Sequence, residues 1–483
     1  MEALPEGVLQ PLFHASNSSS SLDGCLQFLL DVSRTDSGRA DLASRAILPS
    51  VLSLLQLLPY PCSRHYLILA LKVLRNLCAG EMTNQKAFVD HRGSALVSDL
   101  LVSAIGESHP DFETIRFELQ VLANVVLAGE EHQRDVWSRF FPERFSDVAK
   151  VLRRETCDPL CKVVYTCCDG SSQIAAELCS DEGLSIMSDI VRTASSVGYG
   201  EDWLKLLLSR ICVEDDCFPR MFSKLHYVEC KDTVDDVAFS VEQAFLLRVV
   251  SEVVIERMRE ISIPRDTALF ILEIFKKSIG NFRSVLGERS ELPTGSTVID
   301  VMGYSLTIIR DTCAGESLEE LKKDVSSGDS VEALLSSGLV ELLLGLLRDL
   351  EPPTTIKKAL NQNSSSSSSS KPCPYRGFRS DIVAVVGNCA YGRKQVQEEI
   401  REREGLLLML QQCVTDDKNP FLREWGIWGM RNLLEGNQEN QEAVAALEIQ
   451  GSVDDVPELQ DLGLRVEVDP KTRRPKLVNV REN

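Results

Sequence analysis

Aromatic side chains are scarce in this chain, at 6% of 483 residues, and Leu dominates the apolar set. A Leu-rich, aromatic-poor interior suits stacked helices better than β-sandwiches, which favour Val, Tyr and Phe. Basic residues are outnumbered, 52 Lys and Arg against 72 Asp and Glu, for a net charge of −20. That balance argues against nucleic acid as the main ligand and against adsorption to an anionic membrane. No apolar run approaches the ~20 residues of a membrane-spanning helix, so membrane insertion is not expected. The start, MEALPEGVLQPLFHASNSSSS, lacks a basic segment followed by an apolar one, so no secretory leader is expected. A cytoplasmic location follows, in which the 15 Cys stay reduced.

Catalytic signatures are missing as well. There is no G-x-S-x-G, Walker loop, H-E-x-x-H or dinucleotide glycine fingerprint. The six His lie in the N-terminal half, and none belongs to a Cys–His signature. Cys157, Cys161, Cys167 and Cys168 cluster, but the spacing is C-x-x-x-C and then C-C, with no His beside them. A packed helix explains them better than a zinc site. The expectation is a non-enzymatic chain with no catalytic, cofactor-binding or metal-binding residues.

What the chain does have is 43% apolar residues arranged in a degenerate repeat. In HYLILALKVLRNLC, Leu67, Ala70, Leu71, Leu74, Leu77 and Cys78 form the stripe of an amphipathic helix. Gly80 follows, then a short helix QKAFVDHR, then Gly93 and a third helix SALVSDLLVSAI. The same layout returns downstream. Matched positions Asn76, Asn124, Thr166 and Arg210 step by 48, 42 and 44 residues, and Asn388 to Asn432 by 44. Such steps fit helical-repeat units of ~40–47 residues. Further copies fall near Leu246–Val254 and Ile308–Gly315.

A polar Ser/Asn run, NQNSSSSSSSK, interrupts the pattern and buries too little surface to offset its ordering entropy. The expected layout is N-terminal repeats over 1–351, a disordered Ser-rich loop over 352–378, and a C-terminal domain over 379–483. The tail LGLRVEVDPKTRRPKLVNV alternates and reads as an extended segment or hairpin. Its Lys471, Arg473, Arg474 and Lys476 are a nuclear-import or phosphate patch, or merely solvated.

Asn76, Asn124, Asn388 and Asn432 occupy one recurring place in four long helices. Helix-interior Asn costs propensity, so its amide needs partners. Either it braces the neighbouring repeat, or it lines a groove and bonds an extended peptide. Trp428 lies one turn before Asn432 and belongs either to inter-repeat core or to an exposed hot spot. These five residues are the candidate protein-binding positions.

The unit ALKVLRNLCAGEMTNQKAFVDHRGSALVSDLL resembles an armadillo repeat. That resemblance implies an all-α, right-handed superhelix with a concave groove. Trp428 and Asn432 match the Trp-x-x-x-Asn pattern of importin-like armadillo proteins, whereas Lys72, Gln120 and Ala384 stand where a Trp ladder would continue. The stretch from SDIVAVVGNCAYG through LRVEVDPKTRRPKLVN, roughly Ser380 to Asn479, is similar to the C-terminal domain of the ataxin-10 family. This resemblance implies a cytoplasmic, non-enzymatic scaffold linked to cell survival and cytokinesis through protein partners, with self-association in some members. The alternatives are an importin-like adaptor for basic peptides and a self-associating structural protein.

Overall fold

The computed structural model describes residues 5–16, 21–106, 109–226, 239–280, 291–319, 328–356, 371–447, 464–468 and 475–479. It divides into two units, Met1–Gly287 with Leu292–Leu334, and Glu288–Glu291 with Leu335–Asn483.

The first unit opens with α1 (Glu6–Ala15), α2 (Leu22–Val32), α3 (Asp36–Ser44) and α4 (Ile47–Leu57). Three-helix repeats follow: α5 (Arg64–Leu77), α6 (Met82–Asp90) and α7 (Gly93–Ile105); then α8 (Phe112–Val125), α9 (Glu130–Phe140) and α10 (Glu143–Ala149). The next is α11 (Arg154–Asp169), α12 (Ser172–Leu178) and α13 (Asp181–Val197). Beyond them lie α14 (Asp202–Leu208), which runs on into a π-helical turn at Ser209–Glu214, and α15 (Phe218–Lys224). Then come α16 (Val241–Glu256), α17 (Arg265–Gly280) and α18 (Thr297–Glu319), and α19 (Gly328–Ser336) carries the chain to the boundary. The long helices stack in order: α5 on α8, α8 on α11, α11 on α14. The predicted stripe of α5 is buried, from Leu67 through Leu77 and Cys78. This is the armadillo-like, all-α repeat architecture that the periodicity implies.

In the second unit α20 (Leu339–Asp349) packs on α21 (Phe378–Ala390). The repeat continues with α22 (Lys394–Glu402), α23 (Gly405–Leu410), α24 (Leu422–Leu434) and α25 (Gln438–Ala445). α21 and α24 form the most extensive helix pair of this unit. Of the segment 352–378 read as a Ser-rich loop, 357–370 lies outside the described residues. Beyond it, the Lys371 N–H donates to the Asp349 carbonyl and the Lys371 carbonyl accepts from Glu351, both at 2.8 Å. The tail forms an antiparallel hairpin of β1 (Leu464–Val468) and β2 (Pro475–Asn479), with Leu464 opposite Asn479. Of the basic tail cluster, Lys471, Arg473 and Arg474 lie outside the described residues.

A recurrent close approach explains the glycine between second and third helices. A Cβ on Gly93 would stand 2.5 Å from the Phe88 ring, and one on Gly405 2.7 Å from Ile400 Cγ2. In both repeats the blocking side chain lies five residues upstream, so the chain turns over it only where Cβ is absent.

Candidate partner-binding surfaces

The recurring asparagines have partners inside the fold. Asn124 Nδ2 donates to the Arg75 carbonyl at 2.9 Å, and Asn432 Nδ2 to the Gly387 carbonyl at 3.0 Å. Each acceptor lies one residue before the matched Asn of the preceding repeat. Each Asn carbonyl in turn accepts from a Gln of the preceding short helix. Gln85 Nε2 donates to Asn124, and Gln397 Nε2 to Asn432, both at 2.8 Å. One Asn–Gln bracket therefore recurs in both units. Asn76 Nδ2 donates to Ser33 Oγ at 3.1 Å, while its Oδ1 accepts from the Arg75 guanidinium at 2.9 Å. Asn388 is buried, and its carbonyl accepts from Arg393 at 3.4 Å.

A second set of amides closes four of the repeats on themselves. Asn84 donates to the Leu77 carbonyl, Gln133 to Val126, Gln397 to Ala390 and Asn440 to Leu433, at 2.8–3.3 Å. The acceptor is always seven residues back, at the end of the preceding helical segment. Those carbonyls have no intrahelical partner, and the short-helix amide supplies one. The recurrence of NQK, EHQ, KQVQ and NQENQ after these four long helices was the available signal.

The position of Trp428 is set by glycines. A Cβ on Gly426 would lie 2.6 Å from the Gln412 carbonyl oxygen, and one on Gly387 3.0 Å from Gly429 Cα. The glycine face of α24 is thus pressed against backbone, and Leu422, Met430 and Leu433 are buried with it. The opposite face turns outward: Phe421 is 71% exposed, Ile427 52% and Trp428 46%. The Arg431 guanidinium lies 5.0 Å from the centre of the Trp428 ring. Trp428 is therefore half out of the core, whereas its helical neighbour Asn432 is fully inside.

Arg379, at the start of α21, is buried. It donates to Gln412 Oε1 at 3.0 Å and to the Glu351 carbonyl, while its Nε has no partner. Asn419 Oδ1 accepts from the Arg379 N–H at 3.1 Å, and Asn419 Nδ2 donates to Asp416 at 3.0 Å. Burial opposes ionisation of Asp416, but hydrogen bonds from Thr354, Lys418 and Asn419 hold its carboxyl below the usual range. This cluster fastens the chain on either side of 357–370 to one another. No periodic pattern marks such a residue in the sequence.

The cysteines are mostly deep. Burial pushes the thiols of Cys157 and Cys167 up to about 12 and raises those of Cys78, Cys161, Cys168 and Cys212 well above the ordinary thiol range. Thiols so held stay protonated and unreactive near neutral pH. Among the described residues no group of three or more His, Cys, Asp or Glu side chains is placed to hold a metal ion. No single helix among them is long and apolar enough to cross a membrane.

Comparison with known proteins shows what these units are similar to. The family model described as "Spinocerebellar ataxia type 10 protein domain" matches residues 378–477, which include α21 and α24. Ataxin-10 of Xenopus tropicalis is 24% identical over 412 residues, covering 82% of this chain and 77% of that protein. Ataxin-10 of Homo sapiens is 25% identical over 454 residues, covering 91% of this chain and 86% of its own. An ataxin-10 homolog of Dictyostelium discoideum is 36% identical over 115 residues, 24% of this chain and 18% of that one. Among solved structures, an engineered protein aligns over 90% of this chain and 91% of its own at 13% identity and a TM-score of 0.38. A designed armadillo repeat protein aligns over 51% of this chain and 98% of its own, at 12% identity and a TM-score of 0.30.

Proposed function

We propose that this chain, similar to ataxin-10 along most of its length, is a member of that family and a non-enzymatic armadillo-repeat scaffold that holds partner proteins. The observation that carries this reading is the outward face of α24. Phe421, Ile427 and Trp428 present large apolar side chains to solvent inside the matched segment. Exposed Trp flanked by Arg is the composition of binding hot spots. Burying such a face against a partner would recover roughly 25 cal/mol per Å² of apolar area. The role that goes with this is one in cell survival or the regulation of cytokinesis, exerted from the cytoplasm through protein contacts.

Asn388 and Asn432 belong to the same proposal as the inner wall beside that face. The test is capture of partners from native extract by the full chain, its Trp428→Ala variant and its Asn388→Ala variant. Loss of partners from a folded Trp428→Ala protein supports the reading. Retention of every partner by both folded variants sinks it at these positions. Self-association through this unit is part of the proposal, and sedimentation over a concentration range checks it; a strictly monomeric result removes it.

A further inference from the structure

The first unit carries a different kind of surface. Phe117, buried in α8, has three cations around its ring. Lys72 Nζ lies 4.9 Å from the ring centre, Arg75 Cζ 5.4 Å and Arg116 Cζ 4.7 Å. Little neutralises them. Glu113 approaches Lys72 only to 4.0 Å and is engaged at 3.1 Å by Arg64. Arg75 donates to neutral oxygens alone, Asn76 Oδ1 at 2.9 Å and Gln120 Oε1 at 3.0 Å. Arg116 has no carboxylate partner among the described residues, and its Nε is buried and unbonded. The carboxyl nearest in sequence, Glu118, is fully buried, and that burial pushes it well above the usual carboxylate range. Burial and then repulsion from Arg116 lower the affinity of Arg75 for its proton.

The pattern extends to the next long helix. Lys162 of α11 lies over the Trp203 ring at 5.4 Å, and Arg153 over Phe112 at 4.3 Å, neither with an ion pair among the described residues. In a chain of net charge −20, most of the arginines of this unit are paired, as Arg64 is with Asp111 and Arg257 with Glu214. A guanidinium laid on a ring can still offer its edge, a fork matched to a carboxylate; Arg75 shares that edge with the neutral oxygens of Asn76 and Gln120, and Arg116 gives none of it to a carboxylate among the described residues. Neighbouring like charges held together in this way are relieved when an anion bridges them.

We propose that the face formed by α5, α8 and α11 is a docking site for an acidic peptide segment of a partner protein. Arg75 and Arg116 take one carboxylate between them, and Lys162 takes another one helix further along. The proposal rests on the scaffold reading and names the chemistry of one partner. A peptide fits better than a nucleic acid. The cations here are few and confined to one line of helices, whereas the phosphate backbone needs many contacts and would meet repulsion from the acidic remainder.

The test uses the full chain and a fluorescein-labelled dodecapeptide of alternating Glu and Ser, with a Gln–Ser peptide as control, titrated at physiological salt. Saturable binding of the Glu peptide alone is expected. Arg116→Gln should weaken it on the order of tenfold, the worth of one charge-assisted hydrogen bond. Arg116→Glu should lose the Glu peptide and gain measurable binding of a Lys–Ser peptide, a gain that unfolding cannot produce. No saturable binding of the Glu peptide overturns the proposal. Equal binding by wild type and an Arg75→Gln/Arg116→Gln double variant does so too. Tighter binding of a single-stranded oligonucleotide of equal length overturns the choice of partner. Capture experiments with Trp428→Ala keep the two readings apart. If that variant releases partners while the Glu peptide fails to bind, the scaffold stands and the acidic site falls.

Discussion

The two units use one internal bracket and present opposite outer surfaces. Asn124 with Gln85, and Asn432 with Gln397, make the same pair of hydrogen bonds across successive repeats. In the first unit the bracket sits at a half-buried edge, next to Arg75 and Gln120. In the second it is sealed, with Asn388 and Asn432 both buried, because glycines bring α21 and α24 into backbone contact. The closer packing leaves no polar edge there, and solvent instead meets the aromatic back of α24. The recurring amide is thus part of how the repeats hold together, and what surrounds it differs: cations in one unit, exposed apolar rings in the other.

The comparison breaks first at the glycines. Gly426→Ala sets a Cβ 2.6 Å from a backbone oxygen of Gln412, so backbone must move. The expected cost is about 3 kcal/mol, against a helix-propensity gain of about 1 kcal/mol. Chemical denaturation of the full chain should show it in the transition of the second unit. Gly429→Ala is the control: its Cβ meets the mobile end of Met409 at 2.9 Å, and the loss should stay under about 1 kcal/mol. Equal losses at the two glycines would contradict the close-packed face. Next comes the bracket itself. Asn432→Ala leaves the Gly387 carbonyl without its partner in a sealed interior, for about 2 kcal/mol. Asn124→Ala frees the Arg75 carbonyl at an edge that water can reach, for about 1 kcal/mol. An inverted order would mean that burial does not set the worth of the bracket.

How much of this was legible follows from the distances involved. The helices and their order were readable because Leu spacing is local, within four residues. Gly93 and Gly405 were readable as breaks, since the side chains they clear lie only five residues upstream. The recurring Asn was visible, but its acceptors in Arg75 and Gly387 are 49 and 45 residues away, one repeat back, and only the stacking of the helices brings them within reach. The outward turn of Trp428 depended on G-x-x-G in α24, a signal present in the sequence; the residue types alone left the core and exposed placements both open. Arg379 was unreadable, because its acceptors at Glu351 and Gln412 come from segments that only the fold brings together.

The last two effects are smaller and separate the units by chemistry. Burial, and then the charge of Asp111, raise the Glu118 carboxyl well above its ordinary 4.5. The native group keeps its proton where the unfolded chain has lost it. Stability therefore falls as pH rises above about 4.5, and goes on falling until the native carboxyl ionises. Glu118→Gln removes that slope: the first unit should melt a few degrees higher at pH 7, and within about 1 °C of wild type at pH 4. A shift of equal size at both pH values would mean that packing, not ionisation, separates the two side chains.

Trp428→Ala should change the stability of the second unit by no more than about 0.5 kcal/mol, because nearly half of its surface already faces water and the helix is held by its glycine face. Denaturation midpoints of wild type and variant check this. A loss of 2 kcal/mol or more would make Trp428 part of the core and leave the apolar face without its principal anchor. A near-zero change, together with lost partners, is the combination that only a binding residue produces.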